Sequence, residues 1–141
     1  MARISKDTKV EALSRAPLFE GLSRKELQEI ARGSEDMDVE PGRVLCREGG
    51  LGQEFFVITE GEAEVRRKGR RRGVLGPGDF FGEIALIDRS PRTATVTATT
   101  PLRFFVLTRR TFLSLLDDNP AVERKILRTL ARRALSDSGS A

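Results

Sequence analysis

Glu54-Phe-Phe-Val-Ile-Thr-Glu60-Gly-Glu-Ala63-Glu-Val-Arg-Arg-Lys68-Gly-Arg-Arg-Arg72-Gly-Val-Leu75 reads as three short β-strands in succession, Glu54 to Glu60, Ala63 to Lys68 and Arg72 to Leu75. Aromatic and β-branched residues build each piece, and glycines cut one from the next. Outward from this stretch the period stays near two from Glu35 to Thr108, punctuated by Gly42, Gly49, Gly50, Gly52, Gly76, Gly78 and Gly82. Further strands are predicted at Asp36 to Val39, Val44 to Arg47, Thr93 to Ala98 and Leu102 to Thr108. Parallel pairing would need helices between the strands, and the spacing leaves no room for them. About eight short strands so spaced predict an antiparallel sandwich or jelly roll.

Helical patterns flank the roll. Ser23-Arg-Lys-Glu26 is a capping box with Leu22 and Leu27 as its hydrophobic staple, opening a helix that buries Leu27, Ile30 and Ala31 and stops at Gly33. A weaker helix is predicted over Lys9 to Arg15, ending before Pro17. Beyond the roll, Thr108 caps a turn carrying Phe112, Leu113, Leu115 and Leu116, and Asn119-Pro120 supplies an N-cap followed by proline at the first helical position. Val122, Ile126, Leu127, Leu130, Ala134 and Leu135 then form one apolar face, opposite Arg124, Lys125, Arg128, Arg132 and Arg133. The expected organisation is one domain over 1–141: helices at 9–33, the β-roll at 35–108, helices at 109–135 and a frayed tail at 136–141.

Composition excludes several chemistries. Hydrophobic residues at 38% are too many for a disordered chain of this charge, so the chain folds. No apolar run approaches the roughly 20 residues that cross a bilayer, and Met1 to Asp7 lacks a signal peptide's apolar stretch, so a soluble cytoplasmic protein is expected. With no histidine, the commonest general base and metal ligand are missing, and a metal enzyme of the cupin kind is set aside. Cys46 is the only cysteine and reads as a small apolar strand residue. Arg66, Arg67, Lys68, Arg70, Arg71 and Arg72 carry the excess charge, for without them 19 basic residues stand against 21 acidic ones. This cluster is either a solvated hairpin tip turning at Gly69 or a site for nucleic acid or another anionic partner. No Trp or Tyr is present for stacking, and most of the eight Phe sit in core-like positions, so nucleic acid is not favoured.

One stretch breaks the strand pattern, Phe80 to Ala98. Glu83 to Ile87 is long enough for about one helical turn, and Gly82 before it lets the backbone approach a ligand closely. The N-terminus of a short helix presents unpaired N–H groups to an anion, and Arg92 can add a guanidinium that matches phosphate geometry. A carboxylate beside a phosphate needs a neutral donor, and a ribose 2′-hydroxyl serves Glu83 in that way. Together the residues describe a pocket for a phosphate joined to a ribose. Residue chemistry alone leaves open an internal ion pair of Arg92 with Asp88 or Glu83.

Phe81-Gly-Glu-Ile-Ala-Leu-Ile87, followed after a short gap by Pro91-Arg-Thr-Ala-Thr-Val-Thr-Ala98, resembles the phosphate-binding cassette of cyclic nucleotide-binding domains. These domains occur in the catabolite activator protein family, in regulatory subunits of cyclic-nucleotide-dependent kinases and in cyclic-nucleotide-gated channels. The likeness extends over about residues 15–135, through Pro17-Leu-Phe19, Pro41-Gly42, Phe55 to Gly61 and Leu75 to Phe81. It implies a mainly β fold with flanking helices: an antiparallel jelly roll (double-stranded β-helix) with N-terminal helices, a short cassette helix within 81–98 and a C-terminal lid helix. By the same resemblance Glu83 binds the ribose 2′-hydroxyl and Arg92 the cyclic phosphate. The backbone of Gly82, Ile84 and Ala85 completes the cradle, and Thr93 and Ala94 follow the arginine. A hydroxyl at Thr93 can also meet a syn guanine amino group, so cGMP stands second to cAMP as the expected ligand. Candidate base contacts are Val57 and Leu75 on the roll wall and Leu127 and Leu130 on the last helix, near Arg124 and Ile126.

The implied function is a non-enzymatic, stand-alone sensor without a cofactor. It binds cAMP reversibly and moves its C-terminal helices to act on an effector protein not yet identified, as a monomer or homodimer. The 33 residues after Thr108 are too few for both a lid and a helix-turn-helix reader, so a complete transcription factor is not expected. Two alternatives stay open. One is a regulatory domain cut from a larger channel, kinase or transcription factor; the other is a nucleic-acid or anionic-partner module using hairpin 66–72, with a vestigial nucleotide pocket.

Overall fold

Two four-stranded antiparallel sheets pack face to face in the computed structural model, which describes residues 6–136. The strands are β1 (Ser34–Val39), β2 (Val44–Cys46), β3 (Glu54–Glu60), β4 (Ala63–Arg67), β5 (Arg70–Leu75), β6 (Phe80–Phe81), β7 (Thr95–Ala98) and β8 (Leu102–Thr108). The first sheet has the order β1-β8-β3-β6 and the second β2-β7-β4-β5. Helices α1 (Lys6–Ser14) and α2 (Arg24–Arg32), with a 3-10 turn at Pro17–Phe19 between them, precede the roll. Helix α3 (Glu83–Asp88) interrupts it, and α4 (Arg109–Asp118) and α5 (Pro120–Ser136) follow it.

The mainly β roll with flanking helices is the expected fold, and the differences are local. Strand β7 starts at Thr95 rather than Thr93, and the β4–β5 hairpin closes on the two residues Lys68-Gly69. Sequence reading missed β6, whose two residues pair with Phe56 and Val57 and lie next to the helical interruption. The expected tail falls almost wholly outside the described residues.

Strand β3 explains why Phe55-Phe-Val-Ile58 is an unbroken apolar run. Successive side chains point to opposite faces. Phe55 and Val57 enter a core roofed by α1, α2, α4 and α5, with Leu13, Ile30, Phe80, Phe105, Phe112 and Ile126. Phe56 and Ile58 enter the core between the sheets, with Cys46, Ala63, Phe81, Val96 and Phe104. A strand covered on both faces loses the apolar and polar alternation of a half-exposed one.

Local signals set the helix ends. In the capping box of α2 the Ser23 amide donates to Glu26 Oε1 at 2.9 Å, and the Glu26 amide donates to Ser23 Oγ at 3.1 Å. Thr108 Oγ1 accepts from the Thr111 amide at 3.2 Å, as expected of a cap on α4. Asn119 holds the N-cap position before Pro120, its carbonyl accepting from the Val122 and Glu123 amides at 3.0 and 3.1 Å, while its side-chain amide nitrogen donates back to the Leu115 carbonyl at 3.1 Å and so also closes α4. Lys125 Nζ donates to the carbonyls of Pro17 at 3.0 Å and Glu20 at 3.1 Å, fastening α5 to the 3-10 turn.

Phe112 is fully buried with its ring centroid 4.4 Å from that of Phe55. Phe112→Ala should cost about 3–5 kcal/mol of unfolding free energy, read from the shift of a urea denaturation curve.

Candidate functional site

The turn from β6 into α3 sets the site. Gly82 has φ +94°, and a Cβ there would lie 2.7 Å from the Glu54 carbonyl oxygen and 2.9 Å from Arg92 Nη1. Only glycine fits this left-handed, crowded position. The turn delivers Glu83 into the interior as the first residue of α3, where it is 2% exposed.

Arg92 is 7% exposed, and its guanidinium is held by backbone carbonyls. Nη1 donates to the Gly82 carbonyl at 2.9 Å and Nη2 to the Glu54 carbonyl at 2.9 Å, with Cζ 5.9 Å from the Phe56 ring centroid. Its backbone is pinned as well, since the Arg92 amide donates to the Gly50 carbonyl and the Gly49 amide to the Arg92 carbonyl, both at 2.8 Å. Gly52 packs directly on the guanidinium, where a Cβ would come within 2.0 Å of Nε. Arg92 is thus positioned by carbonyls of Gly82 and Glu54 and not by the Asp88 or Glu83 pairing left open above.

A cavity of about 510 Å³ opens beside these residues. Gly82, Glu83, Ile84, Ala85, Arg92, Thr93 and Ala94 all line it, as do Leu75 and Leu130. Val57 and Leu127 do not. Val57 is fully buried on the opposite face of β3, against the helices, because the period of two sends it away from the inter-sheet side. Leu127 is 57% exposed; it shares the helical face of Leu130 and Ala134 but lies about one turn nearer the start of α5, short of the cavity.

Several lining residues escaped the sequence reading. Val65, Arg67, Arg72, Gly73 and Val74 come from the β4–β5 hairpin, and Arg133 and Ala134 from α5. The basic cluster is therefore more than a solvated tip. Arg66 and Arg71 pair with Glu64, whereas Arg67 and Arg72 turn to the cavity. A signal for Arg133 was present, three residues beyond Leu130 and so on the same helical face.

Arg133 Nη1 pairs with Glu83 Oε1 at 3.0 Å, and Nη2 donates to the Phe80 carbonyl. Its guanidinium also lies over the Phe80 ring, 4.9 Å from the centroid. Burial pushes the Glu83 carboxyl above the usual carboxylate range, and the nearby charge of Arg133, then its own backbone amide and Arg92, pull the other way. Burial likewise pushes the Cys46 thiol, which also lines the cavity, up to about 11, so at neutral pH it is a protonated wall residue. Among the described residues no group of His, Cys, Asp and Glu could hold a metal ion, and no helix is long and apolar enough to cross a membrane.

A family model described as "Cyclic nucleotide-binding domain" matches residues 37–119. The chain is 30% identical over 128 residues to the CRP-like cAMP-activated global transcriptional regulator of Mycobacterium tuberculosis, covering 87% of this chain and 57% of that protein. It is 40% identical over 106 residues to the cAMP-dependent protein kinase regulatory subunit of Yarrowia lipolytica, covering 74% of this chain and 28% of that one. Among solved structures, the Thermus thermophilus catabolite activator protein superposes with a TM-score of 0.74 at 29% identity, over 88% of this chain and 61% of that one. The chain thus spans between about a quarter and three fifths of the length of these relatives.

The Glu83–Arg133 pair makes stability pH-dependent. Arg133→Met leaves a buried carboxylate unpaired and should cost about 1–3 kcal/mol near neutral pH. Removing the cation raises the folded-state carboxyl further above its unfolded value, so the native state binds more protons and the loss should shrink as pH falls through the folded value. Urea denaturation of both proteins in neutral and mildly acidic buffer checks this; a loss that grows on acidification would contradict it.

Proposed function

The chain belongs to the cyclic nucleotide-binding domain family, and from that premise we propose that it is a sensor whose cavity reversibly binds a 3′,5′-cyclic purine nucleotide. The observation that carries this reading is the meeting of two buried, oppositely charged side chains, Glu83 and Arg92, on the wall of one cavity. A cyclic nucleotide offers each what it needs, an anionic phosphate for the guanidinium and a neutral hydroxyl donor for the carboxylate.

In this reading Arg92, already fixed by two carbonyls, binds the phosphate without having to be ordered first. The backbone of Gly82, Ile84 and Ala85 cradles the same group, with Thr93 and Ala94 beside it. Glu83 accepts from the ribose 2′-hydroxyl, and the base extends towards Leu75 and Leu130. Relatives named for cAMP support cAMP as a ligand, and the Thr93 hydroxyl on the cavity wall supports cGMP.

Signal output follows from Arg133. The ribose and Arg133 address the same carboxylate, so occupancy of the cavity and the position of α5 are energetically linked. The ligand can shift α5 only by as much as it prefers one placement over the other. The readout is contact between the C-terminal helices and an effector protein, with no reaction catalysed. Nucleic-acid binding by the hairpin is not favoured, because Arg66 and Arg71 are engaged by Glu64.

Isothermal titration of nucleotide-free protein with cAMP, cGMP and 5′-AMP tests the reading. Saturable binding of a cyclic nucleotide is expected, with 5′-AMP far weaker; a folded, empty protein that binds neither cyclic nucleotide overturns it. Arg92→Ala should weaken binding at least about tenfold, through lost charge-assisted hydrogen bonds. Glu83→Ala should narrow the preference for cAMP over its 2′-deoxy analogue; an undiminished preference would leave Glu83 a structural role only.

A further inference from the structure

Helix α5 has an outer face that the packing of the domain does not use. Val122 and Ile126 are buried in the core, Lys125 is bonded to the 3-10 turn and Arg133 to Glu83. On the other side Leu127 is 57% and Leu135 72% exposed, and Ala131 and Ala134 are exposed between them. Steps of four, seven and eight residues from Leu127 put these four side chains on one stripe. The small side chains in its middle let a second helix approach closely.

Arg124, Arg128 and Arg132 run along one edge of the stripe, and all three are exposed. Successive members are four residues apart, about 6 Å at Cβ, and like charges so spaced destabilise a helix. Among the described residues none of the three has a carboxylate partner. The helix itself carries five cations and, as its only carboxylate, Glu123. An uncompensated row of cations beside exposed leucines is complementary to an apolar stripe edged by carboxylates at the same four-residue step. The α5 of a second copy of this chain would bring Glu123 alone against the row. Nucleic acid would answer the arginines but leave the leucines in water, and two leucines with two alanines are a small apolar area for entry into a bilayer.

We infer that the outer face of α5 docks an acidic amphipathic helix of the effector. Its apolar stripe lies on Leu127, Ala131, Ala134 and Leu135, and its carboxylates meet Arg124, Arg128 and Arg132. The inference rests on the sensor reading of α5 and names the chemistry of the partner. Ala134 belongs both to the stripe and to the cavity wall, so the docking face meets the ligand site at that residue. From Leu127 to Leu135 the contact spans eight residue steps, about 12 Å of helix, so the interface is small and a dissociation constant of about 1–100 μM is expected.

The probe is a fluorescein-labelled peptide of about 18 residues, with a leucine stripe edged by glutamates at i, i+4 and i+8, beside a control carrying lysines in place of the glutamates. Fluorescence anisotropy with the full chain should show saturable binding of the glutamate peptide and at least about tenfold weaker binding of the lysine peptide. Leu127→Ser and Arg128→Glu should each weaken the glutamate peptide at least about fivefold, whereas Arg70→Glu on the exposed hairpin should leave it unchanged. An equal loss in Arg70→Glu means general attraction between charges and overturns the inference. Failure of the glutamate peptide to bind overturns it as well. In that case phosphatidylserine vesicles that capture the wild type but not Leu127→Ser assign the face to lipid, and a dimer in sedimentation that is lost in Leu127→Ser assigns it to a second copy. A cAMP titration of the same protein keeps the two readings apart. Nucleotide binding without peptide binding removes the docking face alone, and peptide binding without cyclic nucleotide binding removes the sensor reading alone.

Discussion

Glu54 to Ile58 joins the fold to the site. Four side chains of β3 divide between two cores, Phe55 and Val57 on the helix-covered face and Phe56 and Ile58 between the sheets. That double burial fixes the backbone of β3, and at its start the Glu54 carbonyl accepts from Arg92. The guanidinium is thus oriented by a strand that is buried on both faces. Packing free energy, which is non-directional, is converted here into the placement of one charged group.

The charges around the cavity follow from that placement. Among the described residues Arg92 forms no ion pair, and its guanidinium lines the cavity. Burial pushes the Glu83 carboxyl up, and the charge of Arg133, brought by another element, α5, pulls it back towards ionisation. Dependence on a remote helix costs little while the pair is intact, but it makes the carboxylate sensitive to where that helix lies. Buried ion pairs contribute modestly to net stability and more to the specificity of an arrangement.

How much of this was legible in the sequence depends on whether the signal was local. Glycine punctuation marked the roll, the Ser23 and Glu26 pair marked the start of α2, and Gly82, Glu83 and Arg92 were recognisable because their chemistry is unusual within a strand pattern. What failed depended on partners. An apolar run without alternation does not say which face each residue takes, so Val57 was assigned to the wrong side of β3. Helical periodicity gave a stripe but not which of its turns reaches the cavity, so Leu127 was expected at the site and Arg133, two turns further along, was not. The bulge at Arg72 exists only in the register between two strands, and the bond from the Asn119 side chain back to α4 exists only once the two helices are joined.

Helix α5 is fastened unevenly. Val122 and Ile126 are buried and Lys125 is bonded to the 3-10 turn, whereas Leu127, Ala131, Ala134 and Leu135 are exposed. In the proposed sensor the helix acts as a lever that pivots near Lys125. Eight residues separate the fulcrum from Arg133, an arm of about 12 Å at 1.5 Å per residue. A tilt of about 10° therefore carries the Arg133 backbone about 2 Å, enough to break one hydrogen bond to Glu83 without disturbing the core. In that reading small angular play near Lys125 is converted into the making or breaking of one contact at Arg133.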